Sequence, residues 1–414
     1  MMRRYRTRAI AIGLAAALWC TAPAAANVPD GGARLGKLVI FPACTPEDGC
    51  ELWKSDGTAG GTKLVKDILD GPTGSFPDEL ARVGKYVLFS ADEGTTGDEL
   101  WRTDGTKAGT KLVKNINPGS DSSGPEDLAA AGNHIIFGAF EPTGGFEPWV
   151  SDGTRKGTKR LKNIIPGSDD SSAQDFGRFG RLVLFTAHDA THGDELWKSD
   201  GTAKGTRMVK NIAPGSDDSF PEDFATLGGR SYFAADDGVT GRELWRTDGT
   251  RRGTKRVKNI FPGATASNPA DFEKLGDRLY FAANGGSDNT ELWATDGSRK
   301  GTKQVKDINP GTNGSFPDSM ARLGDQIIFG AIHDDYGEEV WRSDGTAGGT
   351  KLLKNIVPGT GSSEPCGFIA LGKDVLFQAI HPVLGRELWS TNGKTTGTNL
   401  LKDIADPGDG EPFC

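Results

Sequence analysis

The sequence predicts an all-β protein, an eight-bladed β-propeller of four-stranded antiparallel blades with 48 residues to the blade. Three observations carry this expectation. Eight tryptophans, Trp53, Trp101, Trp149, Trp197, Trp245, Trp293, Trp341 and Trp389, recur every 48 residues without a slip. A fixed period of this size marks supersecondary units that bury their apolar faces only by stacking on one another. Each unit holds four short apolar runs bounded by Gly, Pro, Asp or Asn, and none carries the three-and-four apolar spacing of a helix.

Cutting before Val28 and every 48 residues after it gives blades 28–75, 76–123, 124–171, 172–219, 220–267, 268–315, 316–363 and 364–411. In blade 2 the predicted strands are 76–83, 86–91, 99–103 and 111–116. Gly84-Lys85 makes the first turn and 92–98 the second connection. Asp104-Gly105-Thr106 through Gly109-Thr110 makes the third, and Pro118-Gly119-Ser120 leads out. A β-helix needs a shorter period, and an open array needs polar end units. Here the end units are as apolar as the middle ones, with Leu38-Val39-Ile40-Phe41 in the first and Val375-Leu376-Phe377 in the last. Closure into a single ring over 27–414 follows. Because this cut leaves every blade whole, the seam needs its own fastening. The tail Glu411-Pro412-Phe413-Cys414 repeats the opening Glu364-Pro365-Cys366 of blade 8, and is predicted to lie against blade 1 near the central channel.

Residues 1–26 read as a signal peptide. Arg3, Arg4, Arg6 and Arg8 precede an apolar run from Ala9 to Cys20, and Ala24-Ala25-Ala26 offers a small-residue cleavage site. The run is too short to span a bilayer, so the expectation is a secreted or periplasmic protein with no transmembrane anchor, active as a monomer. The whole chain has a net charge of −8, and removing the four leader arginines takes it to −12. Such a charge argues against a nucleic-acid partner. Cys44, Cys50, Cys366 and Cys414 remain after cleavage, an even count that fits disulfides in an oxidising compartment. Of the three pairings open to four cysteines, Cys44–Cys50 within one hairpin and Cys366–Cys414 at the seam are expected.

The eight copies show what a blade requires. Phe41 and its counterparts at each 48-residue step are each followed two residues later by alanine. Period two places ring and alanine on one strand face, suited to interdigitation with the next blade. The glycine series from Gly57 to Gly393 calls for positive φ in the third turn, and the Asp before it, replaced once by Asn392, for an Asx-turn. Glu51 and its counterparts precede each Trp by two positions, and a lysine series from Lys66 to Lys402 lies in the fourth strand. Antiparallel pairing predicts eight cross-strand Glu–Lys ion pairs. The tryptophans, mid-strand beside Leu, Pro or Val, are predicted to pack between blades and not to serve as sugar-stacking platforms.

The recurring string Glu-Leu-Trp-x-Ser/Thr-Asp-Gly-Thr-x-x-Gly-Thr-x-Leu-Val-Lys-Asp/Asn-Ile-x-Pro-Gly, complete from Glu99 to Gly119, resembles the ELWxxDGT repeat family of exported bacterial proteins. The resemblance covers 28–411 and implies secretion and a propeller-like repeat architecture. It transfers no catalytic residues. Pro148, Asn392, Lys394 and Asp406-Pro407 depart from the string, which bears on the edges of blades 3 and 8.

Function is expected where the copies differ, on loops carried by the repeated scaffold. The second connections (44–50, 92–98, 140–146, 188–194, 236–242, 284–290, 332–338 and 380–386) are the most variable stretches and should share one face with the inter-blade segments. The candidate ligand-binding residues there are His188, His192, Asp236, Asp237, His333, Asp334, Asp335, Tyr336 and His381. His333 and His381 occupy one offset in adjacent blades, with Asp334 and Asp335 near, the composition of a metal site. Asp236, Asp237, Asp334, Asp335 and Asp217-Asp218 offer oxygen ligands for Ca²⁺, but neither the EF-hand nor the nonapeptide calcium pattern occurs. No cofactor is otherwise predicted.

No nucleophile motif, phosphate loop or dinucleotide fingerprint occurs, and the Gly-x-x-Gly-Thr elements fall in turns and not ahead of helices. The first expectation is therefore an exported binding or interaction scaffold for a glycan or protein, more in keeping with the scattered deviations than an enzyme. The alternative is a polysaccharide-acting enzyme that uses carboxylates near the central channel.

Overall fold

The computed structural model describes residues 32–286 and 289–404. Eight four-stranded antiparallel sheets follow one another, each built from four strands in chain order. The first strands of neighbouring blades touch, and that of blade 8, Cys366–Leu371, meets that of blade 1, Ala33–Leu35. The chain is an eight-bladed β-propeller whose first strands surround the central channel. A single 3₁₀ turn, Thr395–Gly397, accompanies the strands. No helix among the described residues is long and apolar enough to cross a membrane.

Blade 2 consists of Asp78–Val83, Tyr86–Asp92, Asp98–Thr103 and Lys111–Lys114. Its first strand starts later than the apolar pattern indicates because Phe76 sits at φ 47°, outside strand geometry. The fourth ends earlier because the amides of Ile116 and Asn117 turn to the Glu99 carboxylate.

Apolar clusters form between blades. Ile40, Leu52 and Val65 of blade 1 close over Val87, Phe89, Ala91 and Trp101 of blade 2. The Phe and Ala series are almost wholly buried, as is every repeat tryptophan, from 2% exposed at Trp101 to 9% at Trp53. Burial of each such ring contributes about 1.5–3 kcal/mol. At the seam, Val39, Phe41, Ala43 and Trp53 pack on Ile369, Leu371, Leu376 and Leu388. Packing of the same kind thus fastens the seam, and the special fastening expected of the tail falls on 405–414, outside the described residues.

Among the described residues, Glu99 and Lys114 show why the predicted Glu–Lys ion pairs are not seen. A bulge shifts the register between third and fourth strands, so that Leu100 faces Lys114 and Trp101 faces Leu112. Because successive side chains alternate faces, Lys114 shares the face of Leu100 while Glu99 lies on the other. Glu99 is fully buried and accepts the amides of Ile116 (2.7 Å) and Asn117 (3.1 Å) and the Ser123 hydroxyl (2.7 Å). Lys114 reaches blade 3, donating to the Thr158 carbonyl at 2.9 Å with its ammonium 5.0 Å from the Trp149 ring centroid.

The third turn is closed by a set of polar contacts. Asp104 Oδ1 accepts the Thr106 amide and hydroxyl at 3.0 and 2.6 Å, Gly105 adopts φ 83°, and the Thr103 and Thr110 hydroxyls meet at 2.7 Å. A Cβ at Gly109 would collide with the Asp104 carboxylate, which accounts for the second glycine of the repeat. Cys44 and Cys50 are bonded and close the hairpin between the second and third strands of blade 1. Cys366 is also bridged; its expected partner Cys414 lies outside the described residues.

Candidate functional site

The second connections and inter-blade segments share one face, as the repeat predicts. In blade 3 the Ser171 amide donates to the Phe146 carbonyl, and the His188 amide of blade 4 donates to the Ser171 carbonyl. Each segment is thereby tied to the hairpins on both sides of it. Two cross-strand residues close each hairpin, and their chemistry changes from blade to blade: Cys44–Cys50, Asp92–Asp98, Phe140–Phe146, His188–Asp194, Asp236–Arg242, Asn284–Thr290, Ile332–Glu338 and Ile380–Arg386.

The structure places the predicted residues on this face but in separate blades. His188 Nδ1 lies 3.2 Å from Asp194 Oδ1, and His192 Nδ1 lies 2.9 Å from Asp189 Oδ2. Asp236 caps its own loop at the Gly238 amide. Asp237 accepts the Val239 and Thr240 amides and pairs with Arg256 at 2.8 Å. His333 packs against Tyr336 and Trp341, with centroids 4.9 and 6.0 Å away. His381 lies 6.0 Å from Trp389, its Nδ1 accepting the Val383 and Leu384 amides. Asp334 exchanges hydrogen bonds with Asn309 of the preceding segment, and Asp335 is exposed, with its amide on His333 Nδ1. His333 and His381 are each engaged on the tryptophan of their own blade, and Asp236, Asp237 and Asp334 on local amides.

A second set of residues gathers at the channel end of the same face, and the sequence reading did not single it out. Each inter-blade segment enters the innermost strand there through a bulge; in blade 2, Asp78 pairs with Ser90 and Ala81 with Leu88. The bulge residue is acidic in five consecutive blades, Glu79, Asp127, Asp175, Asp223 and Asp271, followed by Ser319 and Gly367. All seven have positive φ, between 47° and 63°. Glycine meets this conformation at little cost and a longer side chain does not, so the acids are held for what their side chains do. One role is structural: Glu79 accepts the Asp127 amide of the next blade at 2.7 Å, and Asp127 accepts the Asp175 amide at 2.7 Å.

That role leaves carboxyl groups crowded against one another. Asp127 is 5% exposed, and its Oδ1 has no hydrogen-bond partner. Burial, with the Asp127 carboxylate next in importance, raises Glu79 well above the usual range. Burial raises Asp127 to about 6 against the Asp175 amide, which pulls it down. Glu126 is exposed, and the surrounding protein's displacement of water from its carboxyl group, then Asp127 and Asp98, lifts it to about 8. Burial, then Asp127, Glu222 and Asp223, raises Asp175 well above its ordinary value. Burial, then the neighbouring Glu364, brings Glu338 to about 7. Two arginines answer this charge, Arg242 on Glu222 and Arg386 on Glu364, the latter pair at 2.8 Å. The rim is a crowded ring of carboxyl groups, several of which hold their protons near neutral pH. A shared offset at 79, 127, 175, 223 and 271 was the sequence signal for it, masked because acids at the head of a strand look like ordinary solvated residues.

Comparison with known proteins yields the architecture. No protein-family model and no curated protein matches the chain. Among solved structures, the computationally designed Ika8 protein aligns with a TM-score of 0.51 at 15% identity, covering 86% of this chain and 95% of its own. The S511A mutant of puromycin hydrolase complexed with PGG aligns at 0.51 and 14% identity, covering 87% of this chain and 61% of its own. A Mycobacterium tuberculosis puromycin-hydrolyzing peptidase aligns at 0.53 and 13% identity, covering 92% and 60%. The chain spans about three-fifths of the length of the two hydrolases. At these identities the likeness establishes the propeller fold and nothing about activity.

Proposed function

We propose that the protein is an exported propeller that acts as a binding scaffold, receiving a protein partner that presents basic side chains to the acidic rim and the variable loop face around it. One observation carries the reading: consecutive blades crowd carboxyl groups at the channel end in a strained conformation, and the buried Asp127 Oδ1 among them accepts no hydrogen bond. Lysine or arginine from a partner would favour the ionised form of these carboxyl groups, and desolvated pairs of opposite charge give such a surface selectivity and fast association. A neutral glycan gains nothing from the rim, so a protein is favoured over a glycan. The Cys44–Cys50 bridge and the signal-like leader support export, as does the resemblance to ELWxxDGT repeat proteins.

A second reading rests on the same rim. Glu126 at about 8 and Asp127 at about 6 are neighbouring carboxyl groups of different acidity, one property of an acid–base pair in glycoside hydrolysis. The discriminating experiment screens the purified protein against lysine- and arginine-rich peptides and a glycan array, with reducing-sugar release assayed on the same glycans. Binding to basic peptides that weakens in E126Q and D127N supports the scaffold. Sugar release abolished in those variants would replace it with the enzyme.

A further inference from the structure

We propose that the hairpin of blade 4 holds a divalent transition-metal ion on His188, Asp194 and Asp218, apart from the channel rim. One ligand atom from each of these side chains lies within 4.8 Å of the other two. A metal bound by all three would hold each ligand atom at the usual distance of about 2.0–2.2 Å. His188 and Asp194 face each other across the hairpin, and Asp218 arrives from the inter-blade segment, where its Oδ1 accepts the Asp194 amide at 2.8 Å. That bond fixes the orientation of the carboxylate and leaves its second oxygen for a metal.

The other blades provide an internal control on whether the framework needs these residues. The position of Asp218 demands only a side-chain acceptor for the amide across from it: Ser122 serves Asp98 at 3.0 Å and Ser362 serves Glu338 at 3.0 Å. The positions of His188 and Asp194 are filled by Phe140 and Phe146 in blade 3. The same hairpin therefore closes without any ligating group, and blade 4 alone carries three at these offsets. Among the described residues this is the one trio of His, Cys, Asp or Glu side chains so grouped.

The donor set selects the ion. One imidazole and two carboxylates suit Zn²⁺, Mn²⁺ or Co²⁺, whereas Ca²⁺ takes six to eight oxygens. Asp194 is buried, while Asp218 is exposed and the His188 side chain is 42% accessible. The ion would sit at the protein surface, with the coordination positions left by three protein ligands open to solvent or to a ligand.

Two substitutions borrowed from neighbouring blades test the site without threatening the fold: H188F, after Phe140, and D218S, after Ser122. Calorimetric titration of the purified protein with zinc chloride, repeated with cobalt chloride while following its visible absorption, should show one saturable site. Binding should weaken by about tenfold or more in D218S and be lost in H188F, with melting temperatures of the metal-free variants close to that of the parent. E126Q at the rim should bind zinc unchanged, which keeps this result independent of the basic-partner reading. A parent protein that binds neither ion, or zinc binding that survives undiminished in H188F and D218S, would overturn the assignment.

Discussion

Lys66 of blade 1 lies over Trp101 of blade 2, with its ammonium 5.0 Å from the ring centroid while it donates to the Thr110 carbonyl at 3.3 Å. The arrangement recurs from Lys114 and Trp149 through Lys306 and Trp341. One residue of each lower blade thus joins two features of the next, a π face and an outer-turn carbonyl. Lys210→Met, which keeps the stem and removes the charge, is expected to destabilise the fold by about 1–2 kcal/mol. Chemical denaturation against the parent protein checks it.

The buried glutamates should be less tolerant. Glu195 accepts the Ile212 amide at 2.7 Å, the Ala213 amide at 3.0 Å and the Ser219 hydroxyl at 2.6 Å. Glu195→Ala leaves three buried donors unsatisfied, at a cost of roughly 3 kcal/mol or more, and Ser219→Ala costs about 1 kcal/mol. Denaturation midpoints of the two variants should fall in that order.

The rim carboxylates make stability depend on pH. Their folded-state values lie above those of an unfolded chain, with Asp127 at about 6 and Glu126 at about 8. Above pH 4.5 the folded protein therefore retains protons that the unfolded chain has released, and the slope of stability against pH is negative. The contribution is full below the unfolded values and fades as pH rises through about 6 and then about 8. Differential scanning calorimetry from pH 5 to 9 should show a falling melting temperature. Glu126→Gln should flatten that fall and raise the melting temperature at pH 8.5.

The tryptophans should report a dry environment. All eight repeat copies are at most 9% exposed. Trp19 lies in the predicted leader, so protein lacking residues 1–26 should emit in the blue-shifted range and resist quenching by iodide. Red-shifted, readily quenched emission would contradict inter-blade packing.

Much of the fold was legible because the eight copies repeat the residues that build it. Phe89, Ala91, Trp101 and Gly105 each stand where periodicity and turn chemistry place them. Glu99 and Lys114 were misread because a regular ladder puts them side by side, and the bulge before Trp101 sends one inward and the other to the next blade. The candidate site was half legible. Variability located the loop face, and His188 was among the residues named there. Glu79, Asp127 and Asp175 were missed because only ring closure brings the heads of separate first strands together; Asp194 was missed, and Asp218 named only as an oxygen donor for Ca²⁺, because their grouping with His188 depends on how the inter-blade segment folds back.

The most direct measurement is calorimetric titration of the purified protein with an arginine-rich peptide, at low and at physiological salt, alongside D127N and E126Q. The acidic rim predicts saturable binding by the parent protein, weaker at higher salt and reduced in both variants, although E126Q is the more stable protein at pH 8.5. No saturable binding by the parent protein, or equal binding by all three, would contradict it.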